Sequence, residues 1–114
     1  MIKEVNCLHF LYTNQTRTGH VHLESKLQFV VQNPIDLRIP ERAIVVKFFG
    51  HGDEERVKLE CVCRVVFLFD RIIPDGEELV RRYQAEAYGA MAELVDRTLT
   101  AMGQNPIGLP EMAE

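Results

Sequence analysis

The 114-residue sequence has little of what marks several large classes of protein. It has no apolar run near the roughly 18 residues that a membrane-spanning helix needs. It has no excess of positive charge, since 13 Lys and Arg stand against 17 Asp and Glu, so the general electrostatic attraction to nucleic acid is missing. It has no internal repeats and no low-complexity tracts. The remaining composition, 46% hydrophobic and 26% charged, is typical of a globular protein and at this length predicts one domain over residues 1–114.

Cysteine is also scarce, and its spacing argues against disulfides. The chain has three cysteines, an odd number, and Cys61 and Cys63 lie one residue apart, where neighbouring positions on one strand face rarely suit a disulfide. The first ten residues lack the basic stretch, apolar stretch and cleavage site of a secretion signal. These features predict a cytoplasmic protein.

The hydrophobic pattern alternates up to about residue 74 and becomes helical after it. Residues 57–69 form the clearest strand, with leucine, valine, cysteine and phenylalanine on one face and a half-polar opposite face. Further strands are predicted at 43–49, at 20–31 and, less regularly, at 5–12. The charged, glycine-containing segment 50–55 predicts a hairpin loop between two of these strands.

The second part of the chain predicts helix over residues 76–103. Asp75 is a suitable N-cap, and Gly103 followed by Pro106 ends the helical pattern. We assign two helices with a bend near residues 85–89, the alternative being one continuous helix, and an extended tail over 104–114. The predicted class is α+β, with a four-stranded antiparallel sheet carrying two C-terminal helices on one face.

Two cysteines and two histidines could in principle form a zinc site. His20 and His22 share one strand face, as do Cys61 and Cys63. However, the cysteines share their face with leucine, valine and phenylalanine, where a buried cysteine behaves as a small hydrophobic residue. We therefore predict core cysteines and no metal or cofactor.

No catalytic or nucleic-acid-binding pattern emerges either. Cys7 and His9 are spaced to share a strand face, but no third residue completes a nucleophilic triad, so no enzyme is predicted. Arg81 and Arg82 are surrounded by glutamates in the helical region, which favours a solvated helix face and no nucleic-acid partner.

The remaining signal is hydrophobic surface. All six phenylalanines fall in predicted strands, and the adjacent Phe48 and Phe49 must point to opposite faces. One helical layer covers only one face of a sheet, so we expect part of a small apolar set to stay exposed: Phe48, Val62, Val66 and Leu68. Contiguous exposure of this kind indicates a partner, a client or self-association.

Three stretches resemble the SecB-type chaperones of protein export. Residues 58–69 (KLECVCRVVFLF) are similar to that family's last strand, and residues 88–103 (YGAMAELVDRTLTAMG) to its long helix. Residues 105–110 (NPIGLP) are similar to the extended segment that follows the helix. The order of strands and helices fits the family over nearly the whole chain.

The resemblance implies a chaperone that holds unfolded polypeptides without ATP, by apolar and aromatic grooves, as a homodimer or homotetramer. Such relatives serve protein export or antitoxins. The residues we assign to polypeptide binding are the aromatic ones in strands: Phe29, Phe48, Phe49 and Phe67. Carried over by position, the oligomer contact would include the inner strand face and the helix stripe: Cys61, Cys63, Val65, Met91, Leu94, Val95 and Leu99.

The sequence also departs from the export members. These dock the SecA motor through an acidic sheet surface, whereas the matching face here mixes Lys58, Glu60, Val62 and Arg64. Docking to SecA is therefore not expected. The alternative reading is a structural or regulatory oligomer that uses the same apolar surface for one dedicated protein partner.

Overall fold

Four antiparallel strands and one long helix form the fold in the computed structural model, which describes residues 1–15, 23–52, 56–70, 72–104 and 109. The elements in chain order are β1 (Ile2–Asn14), β2 (Glu24–Gln32), β3 (Glu41–Gly52), β4 (Val57–Leu68) and α1 (Gly76–Ala101).

The sheet has the strand order β1-β4-β3-β2, and every neighbouring pair is antiparallel. Strands β3 and β4 form the predicted hairpin, in register from Glu41 opposite Leu68 to Gly52 opposite Val57. The hairpin tip at 53–55 and the start of the predicted strand at 20–22 lie outside the described residues. The antiparallel sheet with helix on one face confirms the predicted α+β class.

The alternation in β4 separates the two faces of the sheet as the sequence predicts. Its odd-numbered residues from Val57 to Phe67 are all fully buried, and Ile44, Val46 and Phe48 of β3 lie on the same face. This inner face carries the helix and holds the hydrophobic core. The outer face carries the even-numbered residues of β4.

The expectation of two C-terminal helices is wrong, because α1 is continuous over 26 residues from Gly76 to Ala101. The segment 85–89 contains strong helix formers and no proline, so a single glycine at Gly89 costs too little to break the helix. The N-cap prediction is confirmed: the Asp75 carboxylate accepts a hydrogen bond from the Glu78 backbone N–H at 2.9 Å. Gly103 follows the helix with a φ of 78°, the left-handed region that glycine adopts without strain.

The helix packs across β2, β3 and β4. Its buried stripe includes Met91, Val95 and Leu99, and the Tyr83 ring contacts Phe67 at a centroid distance of 5.2 Å. The inner side chains of β1 receive less cover, because the helix lies to one side of that strand. Val5, Phe10 and Tyr12 are only half-buried there.

Strand β1 has two irregularities, and each reverses which of its residues point to the inner face and which to the outer face. Its register with β4 shifts between Ile2 and Glu4 and again between Cys7 and His9. The second shift places Cys7 opposite Cys63 on the inner face and His9 opposite Val62 on the outer face. The expectation that Cys7 and His9 share a face is therefore wrong, because the extra residue of a β-bulge reverses the alternation.

Candidate functional site

The outer face of the sheet is the surface that α1 leaves without a helical layer. It divides into two halves along the strands. One half lies near the Glu41 end of β3 and is crossed by a polar strap, with Val30 of β2 still 44% exposed there; the other lies near the Gly52 end and forms an open groove.

The polar strap is the side chain of Arg64 with its two partners. The guanidinium group lies 3.7 Å from the Glu4 carboxylate on β1 and donates a hydrogen bond from Nε to Gln32 Oε1 on β2. Since β4 and β3 lie between those two partners, the side chain extends across the outer surface at this end. Ala43, Val45 and Val66 are buried here although they point away from the helix.

The open groove has a volume of about 400 Å³ and is centred on Phe49, whose side chain is 39% exposed. Strand register places Phe49 between Lys26 of β2 and Glu60 of β4. Two lysines and two glutamates stand in the wall, so opposite charges balance around an aromatic floor. The lining residues are Glu24, Ser25, Lys26, Phe49, Gly50, His51, Lys58 and Glu60.

Gly50 helps to set which phenylalanine faces the groove. A Cβ atom at this position would lie 3.0 Å from the Phe48 ring and 3.4 Å from Leu23, both on the inner side. The missing side chain therefore allows the Phe48 ring to pack in the core. Alternation then directs Phe49 outward, next to the glycine.

A second exposed apolar surface lies at the other end of the sheet, in the loop 33–40 between β2 and β3. The side chains of Ile35, Leu37 and Ile39 are 107%, 61% and 42% exposed. Arg42 holds this loop by donating hydrogen bonds to the carbonyl oxygens of Leu37, Ile39 and Glu41. This surface is not predicted from the sequence pattern. The spacing of three aliphatic residues between Pro34 and Pro40 was the signal available.

The loop carries a self-contained ion pair. Arg38 donates side-chain hydrogen bonds to Asp36 at 3.0 and 3.1 Å and a backbone hydrogen bond at 3.0 Å. These bonds hold the pKa of the Asp36 carboxyl below its usual range. The loop therefore presents aliphatic side chains without a net local charge from this pair.

The four phenylalanines assigned to polypeptide binding do not share one surface. Phe48 and Phe67 lie in the core, 2% and 0% exposed, whereas Phe49 opens into the groove. Phe29 is half-buried on β2, on the helix side of the sheet. Their role in binding stays a prediction. Of the expected exposed set, Phe48 is on the inner face and Val66 is buried, while Val62 is half-buried and Leu68 is 37% exposed.

The residues assigned to an oligomer contact lie in the core of the single chain. Six of them are fully buried between the sheet and α1, and Leu94 is half-buried at its edge. The six buried residues are Cys61, Cys63, Val65, Met91, Val95 and Leu99.

Candidate metal and nucleic-acid sites gain no support within the described ranges. His20 and His22 lie outside them, and no group of three or more His, Cys, Asp or Glu there is placed to hold a metal ion. Arg81 and Arg82 approach Glu78 at 3.9 and 3.6 Å on the exposed side of α1, as expected for a solvated helix face. No helix of the described chain is long and apolar enough to cross a membrane.

Comparison with known proteins gives a likeness in structure but none in sequence. No protein-family model matches the chain, and no curated protein does. A SecB-like chaperone from Mycobacterium tuberculosis, solved with a ChAD peptide from the HigA1 antitoxin, superposes with a TM-score of 0.75 at 11% identity. The match covers 99% of this chain and 89% of that one. A protein of unknown function from Streptococcus agalactiae matches at 14% identity over 96% and 95% of the two chains, with a TM-score of 0.47. The resemblance noted in the sequence is thus confirmed at the level of architecture: the chain has the SecB-like fold.

Proposed function

We propose that the protein is an ATP-independent chaperone that binds non-native polypeptides through apolar surface. The observation that carries this proposal is the groove around Phe49, an exposed aromatic side chain on the sheet face that the helix does not cover. The SecB-like fold supports it, because the similar M. tuberculosis chaperone was solved with a peptide bound.

The groove suits an apolar segment of an unfolded chain better than a small charged ligand. Its balanced lysines and glutamates give no net attraction for a charge of one sign. Burying an apolar side chain against Phe49 contributes about 25 cal/mol per Å² of apolar area removed from water. Such binding is weak and reversible, and it requires no chemical step from any side chain.

The exposed loop 33–40 offers a second contact for the same client. Its aliphatic side chains lie at the opposite end of the sheet from Phe49, because β3 runs from the loop to the groove. An extended segment of about 12 residues spans a strand of this length. When a client binds at one contact, its effective concentration at the other contact rises. The overall affinity can therefore exceed that of either contact alone.

We propose a homodimer or homotetramer as the working form, with the strip of Val5, Phe10 and Tyr12 on β1 at the contact. These side chains continue the hydrophobic core yet are only half-buried in one chain. Cys61, Cys63 and Val65 would then lie just beneath the contact. The proposed compartment is the cytoplasm.

The client is proposed to be a non-native segment of a protein, which includes an antitoxin or an export substrate. Docking to SecA is not proposed, because the outer face presents Lys58, Glu60 and Arg64 rather than an acidic surface. A second candidate is a module for one dedicated partner. The mixed charges around Phe49 favour it, since paired charges of both signs can select a partner of matching pattern.

Suppression of aggregation tests the proposal. A chemically unfolded, slowly folding protein is diluted into buffer without ATP, and light scattering is followed with and without the purified chain. We expect suppression at near-stoichiometric ratios. Absence of any effect from a well-folded preparation would reject generic chaperone action and leave the dedicated-partner candidate.

Two variants locate the binding surface. Phe49→Ser removes the aromatic floor of the groove and should weaken client binding by about tenfold, the equivalent of losing one buried aromatic contact. Met102→Ser is the control, because Met102 is 51% exposed at the C-cap of α1, and α1 packs on the face of the sheet opposite the groove. Equal effects of the two variants would contradict a groove-centred site.

A further inference from the structure

The strand register arranges the charges of the groove around Phe49 in a fixed order. In the row of the sheet that contains Phe49, the opposite residues are Lys26 on β2 and Glu60 on β4, and all three line the groove. Neighbouring strands lie about 4.8 Å apart, so the backbones of the lysine and the glutamate are about 10 Å apart, with the phenylalanine between them. A segment bound over Phe49 therefore meets a positive charge on one side and a negative charge on the other.

The next row toward the end of β3 has the reverse order. There, His51 lies between Glu24 on β2 and Lys58 on β4, which also line the groove. The sign of the charge thus alternates around the four corners of the groove. A segment whose charges match the Phe49 row is mismatched when it moves by one row or turns around over Phe49. The pattern can therefore fix both where a segment binds and in which direction it runs.

The charges at these corners are available to a bound segment. Within the part of the chain that the structure describes, Glu24, Lys26 and Lys58 are exposed and form no ion pair. The Glu60 carboxylate lies 3.8 Å from the His9 imidazole. Exposed charges of both signs that do not satisfy each other favour a ligand that carries both signs in the complementary arrangement.

We propose that the groove selects polypeptide segments in which an apolar residue stands between an acidic and a basic residue. The inference rests on the proposed function and specifies which client segments bind at Phe49. The apolar residue packs on the Phe49 ring, the acidic residue lies toward Lys26, and the basic residue lies toward Glu60. Such a preference narrows the range of clients without limiting it to one partner.

An extended segment presents all three side chains together when each charged residue is two positions from the apolar one. Residues i−2, i and i+2 lie on one face of an extended chain. They span roughly 13 Å, and long side chains cover the difference from the distance of about 10 Å between the lysine and the glutamate of the groove. A segment with two acidic or two basic residues at these positions places one of them next to a like charge.

Four labelled peptides test the preference by fluorescence anisotropy. The peptides share one leucine-containing sequence with a central phenylalanine, and the positions two before and two after it carry Glu and Lys, two Glu, two Lys or two Gln. We expect the wild-type chain to bind the mixed peptide roughly fivefold more tightly than either like-charged peptide, because one attraction becomes a repulsion. At about 0.5 M salt this preference should decrease, whereas binding of the Gln peptide should not weaken.

Charge reversal in the protein should change the preferred peptide. Lys26→Glu should favour the two-Lys peptide and Glu60→Lys the two-Glu peptide, because each variant leaves charges of one sign on both sides of Phe49. Arg97→Glu is the matched control, since it alters the net charge as much as Lys26→Glu does. The Arg97 side chain is 70% exposed on α1, which packs on the opposite face of the sheet, so the order of the four affinities should stay unchanged.

The outcomes distinguish the charge preference from the proposed function. Equal affinity of the wild-type chain for all four peptides would reject the preference and leave apolar binding at Phe49 intact. Binding of none of them, the Gln peptide included, would reject both. An unchanged order of affinities in Lys26→Glu and Glu60→Lys would also overturn the inference, because the preference would then arise outside the Phe49 row.

Discussion

The two faces of this sheet are built from the same four strands, but only one of them is covered by the helix. The inner face is covered by α1 over β2, β3 and β4 and is apolar along the whole of β4, while the outer face mixes lysine, glutamate and arginine with valine and phenylalanine. Even the outer face is not uniform, since the Arg64 side chain crosses one half and Phe49 stays exposed in the other. A single helical layer thus creates both the core and the open surface on which the proposed binding depends.

The largest test of this contrast compares two phenylalanines. Phe67→Ala removes a fully buried ring that contacts Tyr83 and should reduce the free energy of unfolding by about 3–5 kcal/mol. Phe49→Ala, at an exposed ring, should cost about 1 kcal/mol or less. Urea denaturation measures both. A Phe49→Ala loss as large as that of Phe67→Ala would mean that the outer face is also covered in solution.

Adjacent valines on β4 give a closer comparison. Val65 is fully buried in the core under α1, and Val66 is 1% exposed on the outer face. Val65→Thr buries a hydroxyl among apolar side chains and should cost about 1–3 kcal/mol. Val66→Thr should reduce the free energy of unfolding by less. The residue that pairs with Val66 on β1 is Glu4, whose carboxylate can accept a hydrogen bond from the new hydroxyl. Chemical denaturation of the two variants should rank them in that order, and the reverse order would contradict the assignment of faces.

The helix that separates the faces depends on its first turn. Asp75→Ala removes the acceptor for the Glu78 N–H and should reduce stability by about 1 kcal/mol, which a thermal melt detects. Asp75→Asn keeps an acceptor oxygen and should retain most of the stability. Equal losses in both variants would point away from the cap and toward another role for the carboxylate.

The smallest effect concerns the continuity of α1. Gly89 lies inside the helix, and a Cβ atom there would meet nothing within 4 Å. Gly89→Ala should therefore raise the free energy of unfolding by about 0.5–1 kcal/mol. Ala90→Gly, the reverse change at the next position, should lower it. Destabilisation by Gly89→Ala would indicate a bend or a close contact at this point in solution.

Much of the fold follows from local pattern. The alternation over 57–69 predicts the buried face of β4, and the Asp75 cap and Gly103 stop predict both ends of α1. The prediction of two helices is wrong, because one glycine near several alanines does not by itself show whether a helix bends. The bulge at Cys7 could not be predicted, since nothing local reveals where an edge strand takes in an extra residue.

The candidate site was predicted only in its chemical type. Aromatic residues in strands indicate an apolar surface, but the choice between Phe48 and Phe49 required the position of the helix and the space at Gly50. The exposed aliphatic loop depends on Arg42, whose hydrogen bonds join residues that the pattern treats as an irregular connection.

The sequence by itself determined the order of elements, the period of each one and the apolar face of the central strand, because these depend on neighbours along the chain. Tertiary structure alone decided three further features: which sheet face stays open, that Arg64 crosses half of it, and that Cys7 lies on the same face as the distant Cys61 and Cys63. Each of these depends on strand order and register, and both are set by contacts between segments far apart in the sequence.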